Sequence, residues 1–284
     1  MKVLVTGVKG QLGHDVMNEL ASRGIEGFGV DVEEMDITSK EACENVITGA
    51  KPDAVIHCAA YTAVDAAEDN LELCRKVNAE GTRNIAKVCK ALDIKMMYIS
   101  TDYVFNGGGE RPWEPDDHRE PLNVYGLTKY EGEISVEQNV SRYFIVRIAW
   151  VFGVNGKNFI KTKLRLGKEK GAVSVVDDQI GSPTYTYDLA RLLVDMIQTD
   201  KYLSLIHIFY REGTHEIACH LYGGDGKPGS EASCGEDVKL GSEASCREDV
   251  KPGSEGFGGE SGKMGSETEG AGAAGSAGKE AGRV

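Results

Sequence analysis

Up to Tyr202 the chain alternates between short apolar runs and longer stretches whose apolar positions recur every three or four residues. The run at 2–6 reads as a buried strand and is followed by a glycine-rich turn. Residues 11–22 then carry Leu12, Val16, Leu20 and Ala21 at helical spacing. The pattern continues with a strand at 25–30 ending at Asp31, a helix at 39–47 with Ser39 as its cap, and a strand at 54–58 after a Pro52-Asp53 turn. It predicts a long helix at 71–92, a strand at 95–100, a helix at 125–137 and a strand at 143–148. A helix at 159–170, a strand at 172–176 and a helix at 186–199 complete it. Near-continuous apolar strands alternating with helices mean a parallel sheet covered on both faces. The expectation is an α/β fold, a doubly wound parallel sheet of Rossmann type, with its ligand at the carboxyl ends of the strands.

Beyond Tyr202 the pattern stops. Half of the chain's 36 glycines lie after that residue, while its aromatics there reduce to Phe209, Tyr210, Tyr222 and Phe257. A repeat of lysine, glycine, serine and glutamate begins at Lys227 and returns at Lys239, Lys251 and Lys263. It offers almost no apolar residue to stack, so 209–284 is expected to be a low-complexity, disordered tail. The junction Leu203-Ser204-Leu205-Ile206-His207-Ile208 resembles a translated transposase mosaic-end adapter, which suggests a chimeric reading frame. A short apolar strand is the alternative. Chemistry is therefore sought in residues 1–202.

Charge and cysteines narrow the class. A net charge of −13 argues against nucleic-acid binding through a broad basic face. No window of about 18 apolar residues is present to span a membrane. Met1-Lys2 runs straight into a strand, leaving no room for a signal peptide. Seven cysteines without staple-like spacing fit reduced thiols, and a cytoplasmic protein is expected.

Two constellations carry chemistry. Gly7-Val8-Lys9-Gly10-Gln11-Leu12-Gly13 lies between a strand and a helix, where glycines permit a tight turn and close approach of a pyrophosphate to the helix N-terminus. Asp31, at the end of the second strand, is placed to accept hydrogen bonds from an adenosine ribose, which favours NAD; it is equally a solvated turn residue. In the second, Tyr125 and Lys129 stand four residues apart on one helix, so an ammonium can lie beside the phenol and favour its ionisation. Ser100-Thr101-Asp102 follows the strand at 95–100: a hydroxyl there can bind a carbonyl under reduction and Asp102 a sugar hydroxyl, while turn chemistry is the plainer reading.

Together with the Asn78-Ala79-Glu80-Gly81-Thr82 helix, these residues resemble the extended short-chain dehydrogenase/reductase family. The finer resemblance is to the dTDP-4-dehydrorhamnose reductase family. It rests on Ala59-Ala60-Tyr61-Thr62-Ala63-Val64-Asp65, Ser100-Thr101-Asp102-Tyr103-Val104-Phe105 and Pro121-Leu122-Asn123-Val124-Tyr125-Gly126. Arg147-Ile148-Ala149-Trp150-Val151-Phe152 and Asp178-Gln179-Ile180-Gly181-Ser182-Pro183-Thr184 add to it. The resemblance implies hydride transfer from NADPH or NADH to the C4 ketone of dTDP-4-dehydro-L-rhamnose, in nucleotide-sugar synthesis for cell-surface polysaccharide. It implies Thr101, Tyr125 and Lys129 as catalytic, and Thr101, Asp102 and Trp150 as contacts to the dTDP-sugar. Around the cofactor it places Gly7, Gly10, Gln11, Leu12, Gly13, Asp31, Asp36, Ile37, Ala59, Ala60, Tyr61, Ile99, Tyr125 and Lys129. It implies no metal ligand and is compatible with a homodimer. Trp150 taken alone reads as a core aromatic, and Arg147 as an ion-pair partner.

The family continues past the position of Tyr202 with a strand and helices that complete a substrate lobe. Nothing in 209–284 resembles that lobe, which is therefore expected to be truncated. Three other readings stay open: a non-catalytic partner of the same fold, resembling the regulatory subunit of methionine adenosyltransferase; a sugar-nucleotide epimerase or dehydratase; and an inactive truncated chimera.

Overall fold

The computed structural model describes residues 1–108, 111–175, 179, 181–206, 209–212 and 215–217, with backbone alone from 203 onward. All lie within the unit Met1–Ala232. Six parallel strands form the central sheet in the order β2-β1-β3-β4-β5-β8. They are β1 (Lys2–Thr6), β2 (Glu26–Val30), β3 (Ala54–His57), β4 (Lys95–Thr101), β5 (Tyr143–Ile148) and β8 (Leu203–Ile206).

Strand alternation sorts the side chains into two cores. Val3, Val5, Ile56, Met97 and Phe144 face α1 (Gln11–Ser22) and α8 (Thr186–Ile197). Leu4, Val55, Met96, Tyr98 and Ile145 face α2 (Lys40–Ala50), α5 (Thr82–Leu92) and α6 (Val124–Asn139). Apolar side chains at successive positions thus feed opposite layers, which is why these strands lack the alternation of a half-exposed sheet. The winding reverses between β1 and β3, so the loops after those two strands flank the crevice where such sheets take ligands.

Helix ends follow local rules. Ser39 Oγ accepts the Ala42 amide at 3.2 Å at the start of α2, as its cap spacing predicts. Asn123 Oδ1 accepts the Gly126 amide at 2.7 Å at the start of α6. The predicted helix at 71–92 is α4 (Leu71–Arg75) and α5 joined by a π-turn at Lys76–Gly81, with α3 (Val64–Asp69) ahead of it.

The strand expected at 172–176 is absent at its described residues, 172–175. Gly171 closes α7 (Phe159–Lys170) with φ +71°, and Val173 and Val175 are exposed, so their alternation has no sheet to join. Two short pairs complete the described elements. These are β6 (Val151–Phe152) with β7 (Thr184–Tyr185), parallel, and β9 (Phe209–Glu212) with β10 (His215–Ile217), antiparallel. The sheet itself runs past Tyr202: Leu203 pairs with Phe144 and Ile206 with Arg147, as the strand alternative for this segment had it. The Lys227 repeats lie outside the described residues. Among those described, no helix is long and apolar enough to cross a membrane.

Candidate active site

The glycine loop joins β1 to α1, and its three glycines do different work. Gly7 has φ +70°, and a Cβ on it would meet the Ala59 backbone at 2.8 Å. A Cβ on Gly13 would lie 2.3 Å from the Gly7 carbonyl oxygen, so the first turn of α1 rests on the loop itself. Gly10 is in extended geometry, and its Cβ would meet only that same oxygen, at 3.1 Å. Gly10 also starts α1 without any side-chain cap, and no acidic residue lies in the first turn. The leading amides of α1 therefore keep their donor capacity for an anion. Leu12 is buried in the core, so only its backbone is available there. Asp31 accepts the Lys9 amide at 2.9 Å and the Val32 amide at 2.9 Å. A carboxylate has about four lone-pair positions, which leaves room for a ribose hydroxyl. Lys9 pairs with Glu33 at 2.7 Å on the exposed rim. Asp36 and Ile37 lie farther along the loop: Asp36 accepts the Thr38 amide, and Ile37 packs on Gly81.

Across the crevice, the segment 58–61 leaves β3. Its Ala59 amide donates to Thr6 Oγ1 at 3.1 Å and its Tyr61 amide to Asn78 Oδ1 at 2.8 Å, while Asn78 Nδ2 donates back to the Tyr61 carbonyl at 3.1 Å. Asn78 is 1% exposed and also donates to Thr128 Oγ1 at 3.2 Å, tying the segment to α6. Residues 153–158 reach the glycine loop as well. Asn155 Nδ2 donates to the Lys9 and Gly10 carbonyls at 3.0 and 3.1 Å, and Asn158 Nδ2 to Gln11 Oε1 at 2.9 Å. The sequence reading missed Asn155 and Asn158, since a loop asparagine carries no local signal of a distant partner; Asn78 appeared there only within a motif.

Thr101 ends β4 and starts a short turn at Asp102–Val104. Its Oγ1 accepts the Tyr103 amide at 3.2 Å and donates to Asp102 Oδ1 at 3.0 Å. A Cβ on Gly126 would lie 2.1 Å from the Tyr103 carbonyl oxygen, so α6 seats directly on this turn. That contact sets Tyr125 over the turn, its ring edge-on to Tyr103 with centres 5.9 Å apart. One helical turn on, Lys129 Nζ donates to the Ile99 carbonyl at 2.7 Å and lies 4.2 Å from the centre of the Tyr98 ring.

Burial first, then the Asp102 charge, raise the Tyr125 phenol well above its ordinary range, and the nearby Thr101 hydroxyl only partly opposes them. Burial pulls the Lys129 amine down to about 7, against the attraction of Glu133. The Lys129 amine meanwhile donates to the Ile99 carbonyl, in a layer where burial disfavours its charge. Tyr125 stays protonated at neutral pH, the state a proton donor needs.

Arg147 is resolved as structural. Its Nε and Nη2 donate to the two Glu133 oxygens at 2.8 Å each, with both side chains fully buried. Trp150 is the opposite of a core aromatic, at 45% exposed and φ +47°. A left-handed backbone at a bulky residue is strained, on the order of 1–2 kcal/mol, and such strain clusters at functional sites. Its indole stands 3.1 Å from where a Gly181 Cβ would be, so a larger residue there would press on the ring.

The chain is similar to known proteins. The dTDP-4-dehydrorhamnose reductase of Mycolicibacterium smegmatis is 39% identical over 208 residues, 72% of this chain and 63% of that protein. That of Streptomyces griseus is 42% identical over 188 residues, 66% of this chain and 62% of that protein. The chain thus spans a little under two thirds of the length of these curated relatives. The crystal structure of dTDP-4-dehydrorhamnose reductase from Bacillus anthracis in complex with NADP matches with a TM-score of 0.71 at 40% identity, covering 76% of each chain. Residues 1–223 match the family described as RmlD substrate binding domain, and the chain belongs to that family.

Proposed function

We propose that this chain reduces the C4 ketone of dTDP-4-dehydro-L-rhamnose to dTDP-L-rhamnose with NADPH or NADH. The observation that carries the reading is the seating of the first turn of α6, with Tyr125, on the turn that follows Thr101 at the carboxyl edge of the sheet. Gly10 and the uncapped amides of Gln11, Leu12 and Gly13 suit a pyrophosphate, and Asp31 suits a ribose. In this reading Ala59, Ala60, Tyr61 and Ile99 contact the cofactor. A nicotinamide cofactor supplies the hydride. Thr101 polarises the ketone, and Tyr125 gives its proton to the oxygen as negative charge develops there. Lys129 anchors the turn of α6 that carries Tyr125. Asp102 and the exposed Trp150 ring contact the sugar. Relatives named as reductases favour this reading over a non-catalytic regulatory subunit.

The test is consumption of NADPH or NADH on addition of the ketosugar, with Tyr125→Phe as control. Turnover that falls at least about 100-fold in the variant supports the assignment, matching the usual scale of general acid catalysis. Wild-type turnover in Tyr125→Phe would remove Tyr125 from the mechanism, and no turnover in the parent chain would sink the activity.

A further inference from the structure

His57, the last residue of β3, is 1% exposed and stacks on Tyr98 with ring centres 5.6 Å apart. Both of its nitrogens are engaged by threonine hydroxyls: Nδ1 with Thr6 Oγ1 at 2.8 Å and Nε2 with Thr82 Oγ1 at 3.1 Å. Proton accounting fixes the direction of each bond. Thr82 has one hydroxyl proton and gives it to the Asn78 carbonyl at 2.6 Å, so it accepts from Nε2–H. With the proton on Nε2, Nδ1 is an acceptor and takes the Thr6 hydroxyl proton. Thr6 Oγ1 is then free to accept the Ala59 amide, as observed. The result is one directed chain, from the Ala59 amide through Thr6, His57 and Thr82 to Asn78, whose side chain holds the Tyr61 amide.

We propose that His57 is a positioning residue, which through Thr6 on one side and Thr82–Asn78 on the other fixes the 59–61 amides opposite the glycine loop at the spacing a dinucleotide requires. Three observations support it. The segment 58–61 lies beyond the paired part of β3, so side chains rather than a strand ladder hold these amides. The Ala59 backbone is in contact with Gly7, so any drift of the segment changes the width of the crevice. An apolar side chain in place of the imidazole would leave the Thr6 hydroxyl proton without its acceptor and Thr82 Oγ1 without its donor. The inference rests on the dinucleotide reading above, deepening it with a residue that does not itself touch the ligand.

The experiment uses the full chain with His57→Phe, which keeps a ring against Tyr98 and removes both nitrogens, Thr6→Val, which removes the hydroxyl, and Thr6→Ser, which restores it. Amide exchange at Ala59 and Tyr61 is read without any cofactor, and the NADH and NADPH dissociation constants are read by nicotinamide fluorescence. Faster exchange at both amides in His57→Phe, with dissociation constants weakened on the order of tenfold, is the expected result. Thr6→Ser should return to parent values, and the His57→Phe/Thr6→Val pair should be no weaker than either single variant, because both cut the same chain. Unchanged exchange at Ala59 and Tyr61 in folded His57→Phe overturns the proposal, as do losses that add in the double variant. A parent chain that binds neither nucleotide instead sinks the dinucleotide reading, and the exchange measurement still decides the role of His57.

Discussion

Lys129 Nζ donates to the carbonyl oxygen of Ile99 across 2.7 Å, so the amine of α6 is pinned near the end of β4. The bond crosses from α6 to β4 in a buried layer, and burial holds the amine near a pKa of about 7 against an ordinary 10.5. Unfolded, the amine keeps its proton up to about 10.5; folded, it releases it above about 7. Between those values the unfolded chain binds more protons, so this group makes stability rise with pH. The melting temperature of the parent, measured relative to Lys129→Met, should therefore climb between pH about 7 and about 10.5. A flat difference across that window would contradict the assigned environment.

The glycines of the loop should separate by substitution. Gly13→Ala forces a Cβ to within 2.3 Å of a backbone oxygen and should lower stability by about 1–3 kcal/mol in urea titrations. Gly10→Ala meets a single oxygen at 3.1 Å and should fold like the parent while binding NADH or NADPH more weakly. Equal behaviour of the two variants would mean that Gly10 does not face the ligand.

Removing one side of the Glu133–Arg147 pair leaves a charge in a dry layer. Glu133→Ala should cost about 3–5 kcal/mol of unfolding free energy, and replacing both residues by apolar ones should recover much of that loss. Additive losses in the double variant would show that the two residues do not act as one unit.

Glu33 holds the Lys9 ammonium at 2.7 Å, beside Asp31. Glu33→Ala should free that cation for a 2′-phosphate and shift preference toward NADPH over NADH severalfold, with the shift fading at high salt. Dissociation constants for both nucleotides at two ionic strengths check this, and an unchanged ratio would place Lys9 away from the ribose.

Much of this was legible in the sequence because it depends on local pattern. Val3-Leu4-Val5 and the run at 95–100 are apolar at adjacent positions because helices cover both faces, and the glycine spacing announces a turn into a helix. Val173 and Val175 alternate like a strand yet are exposed and pair with no strand among the described residues, since pairing depends on distant chain that spacing does not encode. Leu203–Ile206 is the converse case: an apolar run resembling an insertion earns its place only through its register with β5. In the site, Tyr125 and Lys129 were visible as a helical pair, but the direction of the Lys129 amine depends on the Ile99 carbonyl, a strand away. His57 and Asn155 look like any core histidine and loop asparagine until their partners are placed.

The π-turn at Lys76–Gly81 carries a last consequence. Its wider ring holds one residue more than a regular helix would, and Asn78 and Gly81 lie inside it, one bonded to Tyr61 and the other pressed on Ile37. Each residue of a helix advances the azimuth by about 100°. Deleting a single residue there would regularise the hydrogen bonding and leave the flanking helices in register, yet turn Asn78 or Gly81 away from its partner by about that angle. This stretch should accept many changes of side chain but no change of length, so that insertions and deletions among relatives are expected to fall outside it.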